Sequence, residues 1–141
     1  MSALLIMLAL AAAPHKTATP AASPAAHKRE LALKAKMDEW RGEWRIEPEG
    51  VACKTSKPTG DARLDAIGCR AIQVCYAPKV SQVAAIEEGT GTDDEKKAQV
   101  TALLNAGKPC IARNRALAIE IIAGTRRPPA AAVKPAKDAG R

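Results

Sequence analysis

The sequence predicts a mainly α-helical domain with a short β-hairpin, a small α+β fold of about four helices stapled by disulfides. Three observations predict it. Apolar residues recur at helical spacing in several segments, and a Pro-x-Gly turn separates two short extended pieces. Four cysteines, Cys53, Cys69, Cys75 and Cys110, stand in a chain of 141 residues that has no Phe and only Trp40, Trp44 and Tyr76 as aromatics. A core so poor in large side chains is light and Ala-rich, and cross-links offset what its burial does not supply.

Residues Ala3 to Ala13 form an unbroken apolar run of 11, too short to span a bilayer and of the length of a signal-peptide h-region. Residues 1–13 are therefore expected to be a signal peptide cleaved near Ala11 to Ala13. The chain is expected to be periplasmic or secreted, with no transmembrane span. Residues 14–27 are rich in Pro, Ala, Ser and Thr and read as a linker. Residues 28–125 read as one folded domain, and residues 126–141 as a basic disordered tail.

The first helix is expected in KRELALKAKMDEWRGEW. Leu33, Met37, Trp40 and Trp44 recur at i, i+4, i+7 and i+11 in one stripe, and the helix ends before Pro48. At this spacing the tryptophans read as core anchors rather than a binding surface. Pro48 and Gly50 then mark the turn between two extended pieces. Asp61 is the N-cap of a second helix whose apolar face carries Leu64, Ile67, Gly68, Ala71, Ile72 and Cys75. Thr92 to Glu95 is a capping box opening a third helix, with Val100, Leu103 and Leu104 inward and Gly107 as its stop. Pro109 suits the first turn of a fourth, which ends at Gly124.

In an exported chain an even number of cysteines reads first as disulfides, and four allow three pairings. Cys69 and Cys75 cannot pair within one helix, because six positions separate them by about 9 Å of rise. Zinc is the competing reading, but the spacing C-x15-C-x5-C-x34-C contains no C-x2-C hook. The absence of C-x-x-C argues against a thioredoxin-like redox site, and that of C-x-x-C-H against covalent haem.

The net charge of +7 lies outside the expected domain: residues 14–29 carry +3, residues 126–141 carry +4, and residues 30–125 hold 14 basic and 14 acidic residues. A neutral module with few aromatics lacks the basic, stacking face of a nucleic-acid binder. No specific nucleic acid is expected as a partner; the basic tails suit an anionic envelope surface. Both histidines, His15 and His27, fall in the linker, so no catalytic base of that kind belongs to the domain. Asp61 and Asp65 are accounted for as cap and first-turn charge. Gly89 to Thr92 lacks the Gly-Lys-Ser/Thr ending of a phosphate loop, and Asp93 to Glu95 lack EF-hand spacing. These absences point to a protein that is not an enzyme and holds no cofactor or metal.

The segment GVACKTSKPTGDARLDAIGCRAIQVCYAP, about residues 50–78, resembles the central part of TonB-type energy-transducer C-terminal domains. Thr59-Gly60, Leu64-Asp65 and Tyr76-Ala77-Pro78 follow that family's order. The resemblance implies a strand leading through a turn into a helix, with Cys53 and Cys69 where some members carry a strand cysteine and a helix cysteine. It departs after Pro78, where such domains return to a strand and this chain runs into helices. It implies, as an alternative function, a degenerate TonB-like module contacting an outer-membrane transporter.

The expected disulfides are Cys53–Cys69 and Cys75–Cys110. The helix starting at Asp61 folds back beside the extended segment that carries Cys53. Cys69 is rotated about 140° from the apolar stripe at about 100° per residue and faces elsewhere, so a bond to Cys53 would staple strand to helix. Cys75 lies on the stripe and needs a partner from the core, which leaves Cys110. The favoured function is a small exported envelope protein with a non-enzymatic binding or structural role, its partner an envelope protein or an anionic envelope surface.

Overall fold

The first helix, α1 (Pro24–Glu39), opens earlier than composition suggests. Ser23 accepts a hydrogen bond from the Ala26 N–H at 3.2 Å and Pro24 occupies the first turn, where a missing N–H costs nothing. The computed structural model describes residues 20–129. In chain order these form α1 (Pro24–Glu39), β1 (Arg41–Glu47), β2 (Gly50–Lys57), α2 (Ala62–Tyr76), a 3-10 turn (Ala77–Lys79), α3 (Val80–Glu88), α4 (Asp93–Asn105) and α5 (Lys108–Ala123). The expected signal peptide, the linker up to residue 19 with His15, and the tail from residue 130 lie outside the described residues. The linker reading of residues 14–27 needs correcting at its end, because α1 starts at Pro24 and Ala26 is only 3% exposed.

The end of α1 also differs from expectation. The helix stops at Glu39, Trp40 turns extended (ψ 140°), and Trp44 lies in β1. Trp44 satisfies the helical period but pairs with Cys53 across an antiparallel hairpin whose register runs from Arg41↔Lys57 to Glu47↔Gly50. The hairpin ladder satisfies the backbone groups of the whole segment, which overrides a period met by one residue of four. Pro48 and Glu49 form the turn between β1 and β2, and Gly50 takes φ +148°, open to glycine alone.

Helix α2 is the spine. Asp61 caps it, and Leu64, Gly68, Ala71, Ile72, Cys75 and Tyr76 are buried along one face. It packs on β2, α1 and α5. The core cluster comprises Met37, Trp40, Leu64, Ile72, Tyr76 and Ile119. Tyr76, 2% exposed, donates its hydroxyl to the Leu104 carbonyl at 2.9 Å, which holds the end of α4. Helix α3 was not foreseen; it follows α2 through the Pro78 turn and contributes Val83 to the buried set. Thr92 and Glu95 make the reciprocal capping box of α4. Val100, Leu103 and Leu104 are each only partly buried.

The far end of α5 is closed by α1. Gly124 adopts a left-handed conformation (φ 82°), and the N–H groups of Thr125 and Arg126 both donate to the Glu120 carbonyl. Arg29 of α1 donates through Nε and Nη2 to the Ala123 carbonyl at 3.3 and 3.0 Å. A residue counted among the linker charges thus caps the last helix.

Candidate functional site

The four cysteines form two bonds, Cys53–Cys69 and Cys75–Cys110, with Cα atoms 5.6 and 5.8 Å apart. The first joins β2 to the outer side of α2, and the second joins the buried end of α2 to the first turn of α5. Helix α2 is therefore fixed from both sides. Lost chain entropy for sequence separations of 16 and 35 amounts to about 3 and about 4 kcal/mol respectively. The Asn114 amide donates to the Cys110 carbonyl at 3.0 Å and lies 3.4 and 3.5 Å from the Cys75 and Cys110 sulfurs. No free cysteine remains: all four are held in these two bonds.

The carboxylates expected as cap and first-turn charge have those local duties. Asp61 accepts from the Arg63 N–H at 3.0 Å and from the Arg63 guanidinium, which holds its carboxyl down at about 2. Asp65 accepts from the N–H and hydroxyl of Thr59 at 2.8 and 2.9 Å, fixing the turn before α2. His27 lies on exposed α1 surface, 4.0 Å from Glu30. Asp61 and Asp65 share the N-terminal turn of α2 and are both engaged there around Thr59, while His27 lies on α1.

Two of the surface recesses are of a size to seat a small ligand. One is an apolar recess of about 530 Å³ between the hairpin turn and α3, lined by Ile46, Pro48, Pro78, Val80 and Val83 with Glu87 and Glu88 at its rim. The other, about 350 Å³, runs between α1 and α5 over Met37, Trp40, Ala116 and Ile119, with Lys34, Arg41 and Arg115 on its walls.

The second groove is built on Trp40. Its indole lies in a slot made by two glycines. A Cβ on Gly68 would stand 2.5 Å from its Cζ2, and one on Gly42 would stand 2.7 Å from the same atom. The indole N–H donates to the Thr55 hydroxyl at 3.1 Å. The Arg115 guanidinium stacks above the ring at 4.7 Å from its centroid and donates from Nη2 to the Gly68 carbonyl at 3.3 Å. Burial pushes the Arg115 pKa down, its Nε has no hydrogen-bond partner, and no carboxylate pairs with it among the described residues.

Sequence reasoning placed the cysteines but missed Arg115. The available signal was its position: Ile111, Arg115 and Ile119 are four apart on one face of α5, so an arginine interrupts an apolar stripe. Gly68 carried a second signal, a helix-breaking residue in mid-helix on the buried face. A scan against protein-family models, a search of curated proteins and a search of solved structures each return no match for this chain.

Proposed function

We propose that this is a small exported envelope protein, periplasmic or secreted, with a binding or structural role rather than a catalytic one. The observation that carries this reading is the complete oxidation of its cysteines into two bonds that tie β2 and α5 to α2. Disulfides of this structural kind persist in oxidising compartments and are rare in the cytosol. The apolar run at residues 3–13 supports the same compartment through its signal-like length. No described helix is long and apolar enough to cross a membrane. The partner is an envelope protein or an anionic envelope surface approached by the basic ends of the chain.

Fractionation of the source cells with intact-mass measurement tests the reading. The expected result is protein in the envelope fractions whose mass lacks the first 11 to 13 residues. Full-length protein in the cytosol overturns it. Crosslinking in intact cells then separates the roles, since an outer-membrane transporter as the principal adduct would favour the TonB-like alternative.

A further inference from the structure

We infer that the groove between α1 and α5 is a binding site for a small amphiphilic carboxylate, whose head is received by Arg115 and Arg41 and whose apolar body lies along Met37, Trp40 and Ile119. This goes beyond the envelope role and stands whether or not the chain is exported.

Three observations converge on it. First, the charge in the groove is unbalanced. Arg115 has a single hydrogen bond, to the Gly68 carbonyl, and Arg41 donates only to the backbone carbonyls of Asp38 and Trp40, both at 2.7 Å. Neither guanidinium has a carboxylate partner among the described residues; Lys34 is paired with Glu30, which leaves one acid, Asp38, against Arg41 and Arg115. Elsewhere on the same surface Arg45, Arg63, Arg126 and Lys54 each pair with a carboxylate. A partly buried cation without its counter-charge is costly, and a ligand carboxylate supplies that charge in bidentate form.

Second, the site is pre-formed. The Gly42 and Gly68 slot and the Thr55 hydrogen bond fix the Trp40 ring, and the ring fixes the plane of the Arg115 guanidinium. A planar donor held still before the ligand arrives loses little entropy on binding. Third, the floor is apolar. Met37, Trp40 and Ile119 are 6%, 5% and 2% exposed, and the cavity of about 350 Å³ falls at the small end of ligand sites. Cations at the wall and hydrocarbon below select a molecule with an anionic head and an apolar body.

The test uses the oxidised full-length protein in the Trp44→Phe background, so that Trp40 reports alone. Decanoate is titrated with emission as the readout, against decanol and decyltrimethylammonium as neutral and cationic analogues. Saturable binding of decanoate, at least tenfold tighter than either analogue and weakened by salt, is expected. Arg115→Met should weaken decanoate at least tenfold while leaving decanol unchanged. Arg41→Met, at an exposed position, should weaken it severalfold and keeps the test decisive if Arg115→Met fails to fold. Equal affinity for decanoate and decanol, no saturable binding, or wild-type affinity in the folded Arg115→Met and Arg41→Met proteins overturns the proposal.

Discussion

Replacing Gly68 by Ala probes the packing that organises this light core. The added Cβ would lie 2.5 Å from Trp40 Cζ2 and 2.7 Å from Cδ2, and closer still to Cε2. The ring cannot retreat easily. Gly42 closes its other edge, Thr55 holds its N–H, and Arg115 covers it. Overpacking of this severity costs up to about 3 kcal/mol. Ala is better than Gly in a helix interior by about 1 kcal/mol, which leaves a net loss of about 2 kcal/mol. For a domain of this size that is a fall of about 8 °C or more in melting temperature. Guanidinium unfolding of the oxidised protein, followed by circular dichroism and tryptophan emission, measures it. The reasoning fails if Gly68→Ala is as stable as wild type or more so, for then Trp40 is free to move.

Other outcomes follow from the same structure. Removing the Cys75–Cys110 bond by double Ala substitution should cost about 4 kcal/mol and removing Cys53–Cys69 about 3 kcal/mol, both measured by denaturant unfolding, since the first closes the longer loop. Burial raises the Tyr76 pKa above its ordinary value, so the phenol's contribution is complete below about pH 10 and is lost as pH rises through the folded value. Melting temperature against pH should therefore fall at the alkaline end together with tyrosinate absorbance, and Tyr76→Phe should flatten that dependence. A chain of residues 20–129 should melt with the full-length protein, whereas one of residues 28–126 should lose about 2 kcal/mol through the Ser23 cap and the buried Ala26.

What was legible in the sequence was local chemistry. Asp61 and the Thr92–Glu95 box opened their helices because a cap is decided within four residues, and Pro48 with Gly50 set the hairpin turn for the same reason. The disulfide pairing followed from helix geometry, which puts Cys69 and Cys75 on different sides of α2. Trp44 misled because a helical stripe and a strand are both compatible with one more apolar residue at i+4; the partner strand decides, and it lies nine residues away in sequence. Helix α3 has nine residues and no side-chain cap, so it left no start signal. The opening of α1 was hidden by Pro and Ala composition, although Ser23-Pro24 is a cap followed by a first-turn proline. The Arg115 groove depended on bringing α1 against α5, a contact that no local pattern encodes.

The central claim is a domain whose fold is completed by two specific bonds in an oxidising compartment. Peptide mapping under non-reducing conditions, on protein purified from its source cells with free thiols blocked at lysis, tests it most directly. The account predicts two linked peptides, one joining Cys53 to Cys69 and one joining Cys75 to Cys110, with no alkylated cysteine. Four alkylated thiols would contradict the compartment, and a Cys53–Cys75 or Cys53–Cys110 peptide would contradict the packing of α2 between the hairpin and α5.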